Sequence, residues 1–151
     1  MMMKICLAAS AGGHLTELLK LPEVWDGKDH FFVTTSEVVL KKLEYGTRAY
    51  AVPWANRNHP LLLLRMLASC VNIMRKERPD VVISSGAAVG CLFCIIGKLM
   101  GKKVVWLELI AFADEISLSG KIVQFFADLF LVQWPELARR YPRARYAGNV
   151  L

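Results

Sequence analysis

Two short runs hold the residues best suited to chemistry. One is Ser10-Ala11-Gly12-Gly13-His14-Leu15-Thr16-Glu17, and the other is Ser84-Ser85-Gly86-Ala87. Each follows an apolar stretch and opens a helical pattern. A strand that turns through small residues into a helix start aims backbone N–H groups and a helix dipole at one spot, which suits a phosphate. Paired glycines allow positive φ and close approach of the main chain to a ligand. His14 in the first turn can donate to a phosphate oxygen or take part in proton transfer. The alternative is a plain tight turn with an exposed histidine. Two named motifs are excluded, because the spacing lacks the third glycine of G-x-G-x-x-G and the G-K-[ST] of a P-loop.

Other candidates are fewer. Glu108 closes the apolar run Lys103-Val104-Val105-Trp106-Leu107, which puts a carboxylate at a strand's carboxyl end, or else a helix cap or solvated acid. Cys91 and Cys94 have redox or metal spacing, but no second pair or nearby histidine completes a site. With Cys6 and Cys70 they lie in apolar runs and are expected as buried thiols in a reducing compartment. No metal and no cofactor is expected.

The 151 residues are 55% apolar, so residues 1–151 are expected to form a single domain with a substantial core. A net charge of +6 fits nucleotide phosphates, lipid diphosphates or an acidic membrane surface. No basic-aromatic platform supports nucleic acid. The first residues lack a signal-peptide shape and no apolar run approaches the ~20 residues of a spanning helix. The expected location is cytoplasmic, peripheral at the cytoplasmic face of the membrane.

The elements that must position these residues alternate. Strands are expected at Met3–Leu7, His30–Thr35, Arg48–Val52, Val81–Ile83, Lys103–Leu107 and Leu129–Val132, with a last short one at Arg143–Gly148. Helices are expected after the first glycine loop, from Glu37 to Tyr45 with Gly46 as its stop, from Leu61 to Arg78, from the second turn to Met100, and from a Ser117 or Ser119 cap through Ala127. The loop Pro53–Pro60 holds Trp54, Arg57 and His59 at a strand's end, where sites are often built. Near-continuous apolar strands imply a Rossmann-like parallel sheet with helices on both faces, whose ligands sit outside the strands' carboxyl ends. The helix from Leu61 has a narrow polar stripe, Arg65, Ser69, Asn72 and Lys76. It therefore needs a second apolar surface: another helix, a partner, or a bilayer with Arg75, Lys76 and Arg78 at the headgroups.

With these runs go Leu107-Glu108, Ser117-Leu118-Ser119-Gly120-Lys121, and the most specific stretch, Ala127-Asp128-Leu129-Phe130-Leu131-Val132-Gln133-Trp134-Pro135-Glu136-Leu137, closing with Tyr141-Pro142 and Tyr146-Ala147-Gly148. Together they resemble the oligosaccharide-biosynthesis proteins related to the membrane-recruiting subunit of the two-subunit N-acetylglucosaminyltransferase of asparagine-linked glycosylation. Bacterial capsule and exopolysaccharide proteins of the PssD, EpsE and CpsF type are the nearest expected kin. A more distant similarity is to the N-terminal, acceptor half of MurG-like glycosyltransferases of the GT-B fold.

The resemblance implies half an enzyme. A donor-binding glycosyltransferase subunit would bring the UDP-sugar, and this chain would bind a polyprenyl-diphosphate-linked sugar acceptor and recruit the pair to the membrane surface. It implies catalytic roles for His14 and Glu108, and diphosphate binding by Ser10, Gly12, Gly13, Glu17, Ser84, Ser85 and Gly86. Membrane or partner contact would fall to Arg65, Arg75, Lys76, Arg78 and Trp134. Leu109, Phe112 and Asp114 depart from the family pattern, which places Ser or Thr, Arg, and a basic residue there. A non-catalytic membrane scaffold and a self-sufficient nucleotide-binding enzyme are the alternative readings.

Overall fold

The computed structural model describes residues 2–41, 43, 47–55 and 57–150. Its centre is a seven-stranded, all-parallel sheet in the order β3-β2-β1-β4-β5-β6-β7. The strands are β1 (Lys4–Ala9), β2 (Asp29–Thr34), β3 (Ala49–Ala51), β4 (Val81–Gly86), β5 (Lys103–Leu107), β6 (Leu129–Val132) and β7 (Ala144–Tyr146). The helices are α1 (Gly13–Leu19), α2 (Pro22–Trp25), α3 (Glu37–Leu40), α4 (Pro60–Glu77), α5 (Ala87–Leu99), α6 (Leu118–Val123) and α7 (Pro135–Arg140). This is the expected Rossmann-like architecture. The order reverses beside β1, which pairs with β2 on one side and β4 on the other. That reversal opens a crevice at the carboxyl edge, where both glycine turns emerge.

Period-two alternation splits the buried residues into two cores. Cys6, Ala8, Val82, Val104, Trp106 and Phe130 face α4, α5 and α6, meeting Met66, Cys70, Phe93 and Val123. Ile5, Leu7, Ala9, Phe32 and Ile83 point the other way, onto Leu15 and Leu18 of α1. All four cysteines are buried and free. Burial pushes the Cys70 thiol up to about 12 and Cys91 up to about 11, so these are inert packing groups.

Several boundaries differ from expectation. Pro22–Trp25 forms a short helix rather than a turn, started by proline at its first position. The third helix is described over Glu37–Leu40, and its expected end at Tyr45 and Gly46 lies outside the described residues. Ser117 does cap α6, accepting from the Gly120 N–H at 3.0 Å, but that helix stops at Val123 rather than Ala127. β4 runs to Gly86, three residues beyond the expected Ile83.

At the opposite, amino edge the buried Glu77 ends α4 and gathers cations. Lys4 Nζ lies 3.2 Å and Arg48 Nη1 3.0 Å from its Oε2, and the Tyr50 hydroxyl donates to its Oε1. Burial alone would raise this carboxyl's pKa, but the bonds from Tyr50 and Lys4 and the charges of Arg48 and Lys4 outweigh it and hold it low. The network fixes α4 antiparallel to the strands, so its first turn sits at the carboxyl edge.

Candidate functional site

The carboxyl-edge crevice is built around a reciprocal clasp between the two glycine turns. His14 Nδ1–H donates to the Ser85 carbonyl at 2.8 Å, and the Ser85 hydroxyl donates back to the His14 carbonyl. Gly86 makes the fit possible. Its φ is +136°, and a Cβ there would lie 2.5 Å from the His14 ring. The next residue, Ala87, sits at φ 63°, a conformation that costs a non-glycine residue of order 1 kcal/mol and tends to occur where function demands it. Gly12 does the opposite job. At φ +101° it has nothing within 4 Å of a Cβ position, so the first turn is open to solvent.

The clasp assigns the imidazole its tautomer. A carbonyl can only accept, so Nδ1 carries the hydrogen, and in the neutral ring the lone pair is on Nε2. The Gly12 carbonyl is tied off by the Thr16 N–H at 3.0 Å and the Thr16 hydroxyl at 2.9 Å, which holds the loop against α1. Ala11 N–H reaches the Thr35 hydroxyl at 3.3 Å, anchoring it to β2. Ser10 is half-buried beside the loop.

The expected diphosphate set is not all on the surface. Ser84 and Ser85 are fully buried. Ser84 Oγ accepts from the Gly86 N–H at 3.1 Å and fills the space where a Cβ at Gly90 would fall. Both serines belong to the extended β4, so their hydroxyls turn inward and shape the turn instead of facing a ligand. Glu17 is buried as well. It is 6% exposed and its carboxylate points into the sheet edge, taking the Ile110 N–H at 3.2 Å and the Gln133 amide at 2.5 Å.

Glu108 lies at the expected strand end, but inside. It is 0% exposed and sits beneath α6, where a Cβ at Gly120 would come within 2.1 Å of Oε2. Trp106 Nε1–H donates to it at 3.3 Å. Burial raises its pKa, more than hydrogen bonds from Ser117, Trp106 and the backbone of Ser117 and Leu109 lower it. Oε1 has no hydrogen-bond partner among the described residues. His14 and Glu108 are thus held by different elements, the former in the open crevice and the latter under a helix start.

Of the three departures from the family pattern, Leu109 borders the crevice, 4.0 Å from a Cβ at Gly13. Phe112 N–H closes a turn on the Leu109 carbonyl at 3.0 Å, and Asp114 is exposed, its carbonyl bonded by Arg140 at 2.9 Å. Trp134 Nε1–H donates to the Ile110 carbonyl at 2.7 Å and is 38% exposed. Gln133, which sequence reasoning passed over, is 2% exposed and touches Glu17, Glu108 and Val150. One signal was there to find: Leu129, Leu131 and Gln133 alternate onto one sheet face, and the third is polar.

The proposed contact helix also differs. Leu61 and Leu64 are 76% and 61% exposed, close in sequence to the exposed Trp54, Arg57 and Arg65, all near the carboxyl edge. Asn58, His59, Pro60, Leu61, Leu62 and Arg65 line a shallow depression of about 370 Å³ there. Arg75, Lys76 and Arg78 are exposed but lie at the amino edge, about 21–25 Å along the helix from Leu61 at 1.5 Å per residue. Lys76 is over the Tyr50 ring at 5.3 Å. No described helix is long and apolar enough to cross a membrane.

Comparisons with known proteins agree with this fold. Residues 47–150 match the family model described as oligosaccharide biosynthesis protein Alg14 like. The UDP-N-acetylglucosamine transferase subunit alg14 of Schizosaccharomyces pombe is 46% identical over 77 residues, 48% of this chain and 37% of the relative. The ALG14 subunit of Yarrowia lipolytica is 31% identical over 121 residues, 76% and 56% of the two chains, and that of Mus musculus 26% over 181 residues, 99% and 83%. The chain therefore spans only about a third to a half of the two fungal relatives. Among solved structures, Acinetobacter baumannii MurG superposes with a TM-score of 0.77 at 17% identity, over 97% of this chain and 45% of that one. UDP-N-acetylglucosamine 2-epimerase from Rickettsia bellii gives 0.76 at 18%, over 99% and 46%.

Proposed function

The chain belongs to the Alg14-like family of oligosaccharide-biosynthesis proteins, and from that premise we propose that it is the acceptor-binding, membrane-recruiting subunit of a two-subunit glycosyltransferase. A separate subunit binds the UDP-sugar; this chain binds a polyprenyl-diphosphate-linked acceptor in capsule or exopolysaccharide assembly. The relatives' names make UDP-N-acetylglucosamine the first donor to try. The observation that carries the reading is the His14–Ser85 clasp, which holds the imidazole by its Nδ1–H beside an open glycine loop and leaves Nε2 as the atom to take a proton in the neutral ring.

In the proposed reaction an acceptor hydroxyl attacks the anomeric carbon of the sugar. The bond from that carbon to the diphosphate of UDP breaks, UDP leaves with the electron pair, and His14 Nε2 takes the hydroxyl proton. The Gly12-Gly13 loop takes the acceptor diphosphate with its main chain. Glu108 acts from inside, holding α6 against the strand end. Trp54, Leu61 and Leu64, with Arg57 and Arg65, form the membrane-facing surface at the edge where a lipid-linked acceptor must arrive.

The test is transfer from a panel of UDP-sugars to a polyprenyl-diphosphate acceptor, with this chain alone, the donor subunit alone, and both together. Activity confined to the mixture is expected, with His14→Ala lowering it about 10²–10⁴-fold, the usual worth of a general base. Unchanged activity in His14→Ala would favour the scaffold reading. Full activity from this chain alone would overturn the two-subunit assignment.

A further inference from the structure

We propose that Glu17, Gln133 and Trp134 form a polar joint that locks the His14 helix to the segment Gly148–Val150, and that Gln133 is a positioning residue for the transfer reaction. The second half of this statement rests on the function proposed above. The joint itself rests on geometry alone.

Glu17 follows His14 by three residues on α1. A buried carboxylate costs several kcal/mol unless its oxygens are fully bonded. Both oxygens of Glu17 accept from the Ile110 N–H, at 3.2 and 3.3 Å, and Oε2 also takes Gln133 Nε2–H at 2.5 Å. The same Nε2 donates its other hydrogen to the Glu108 carbonyl at 3.0 Å, while Gln133 Oε1 accepts from the Val150 N–H at 3.0 Å. Only one orientation of the amide satisfies this set. Turning it over would set Oε1 against a carboxylate and a carbonyl, and Nε2 against an N–H. Trp134, the next residue, donates its Nε1–H to the Ile110 carbonyl at 2.7 Å, so the Ile110 residue is held by its N–H and its C=O at once.

Four segments meet here: α1, the exit of β5 at Glu108–Ile110, the exit of β6, and Gly148–Val150. The first two flank the open glycine loop. An apolar residue at position 133 would pack the edge without a desolvation cost but would leave these segments free to slide. A bonded amide does not allow that. A shift of Val150 is passed through one rigid side chain to Glu17, one helical turn from His14. Misplacement of a reacting group by about 1 Å can cost on the order of 10²-fold in rate.

The experiment uses the full chain carrying Gln133→Met, which keeps length and removes every hydrogen bond. Amide hydrogen exchange is read by mass spectrometry. Exchange is expected to rise about 10-fold or more at residues 12–16 and at 148–150, while β1 and β4 stay protected, as for a local opening. A rise confined to Ile110 and Val150, with 12–16 unchanged, would overturn the joint. In the reconstituted pair, kcat is expected to fall about 10–100-fold with the acceptor KM within about threefold. Unchanged kcat would overturn the positioning role. If the wild-type pair transfers no sugar, the functional reading fails, and the exchange data still decide the joint. Should Gln133→Met not fold, Glu17→Gln, which weakens the same joint, gives the same readouts: raised exchange at 12–16 supports it and no change sinks it.

Discussion

Two carboxylates are buried at the carboxyl edge, and they are kept there in different ways. Glu17 meets two N–H groups that converge on it from separate segments. Glu108 has bonds from Trp106 and Ser117, an oxygen without a partner among the described residues, and a pKa raised by burial. The first acid is held by donors that are themselves fixed in place. The second is squeezed under a helix whose glycine leaves just enough room. Burial therefore says little about role; the number and rigidity of the partners says more.

The sharpest way to break that contrast is Glu17→Leu. It strands the part-buried Ile110 N–H and one buried Gln133 hydrogen, and should cost about 2–6 kcal/mol, at 1–3 kcal/mol per orphaned donor. Urea unfolding of the purified chain measures it. Gly120→Ala comes next. The added methyl overlaps Glu108 Oε2 at 2.1 Å, and overpacking of this kind costs about 1–3 kcal/mol. If it proves neutral, the space beneath α6 is slacker than the geometry implies.

Glu108→Gln should be mildest, within about 1 kcal/mol near neutral pH, because a neutral amide replaces an acid whose environment already disfavours charge. It should also alter the pH profile. With the folded pKa raised above the ordinary 4.5, the folded state binds the proton more tightly than the unfolded chain. Its contribution is full below pH 4.5 and is lost as pH rises through the folded value. Glu108→Gln removes that decline, and parallel urea titrations across the range would show a flatter curve. A variant with the same slope as wild type would mean that folding leaves the Glu108 pKa unchanged.

Much of the fold was legible because apolar runs and small-residue stops report strands and turns directly. The parallel sheet, the helix after each glycine turn and the Ser117 cap all follow from local rules. The site was legible only in outline. Ser84 and Ser85 look like turn residues, yet β4 absorbs them, since sheet pairing with β1 extends to Gly86. Glu17 reads as a polar face of a short helix; its burial depends on donors 93 and 116 residues away. The α4 pattern misled in a different way. Leu61 and Leu64 are exposed because their end of the helix reaches the edge of the molecule, a fact of placement rather than of period.

The placement of β1 has a consequence for synthesis. This strand is central, but its second neighbour, β4, ends about 35 residues after β3 does. At about 5–20 residues per second, a nascent chain that has paired β1 with β2 and β3 waits roughly 2–7 s before β4 is made. Through that interval one edge of an apolar strand, with the Cys6 thiol on it, stands unpaired. Crowded ribosomes would then be the setting in which this protein is most prone to pair with the wrong neighbour, and slower translation between Val52 and Gly86 would lengthen the exposure.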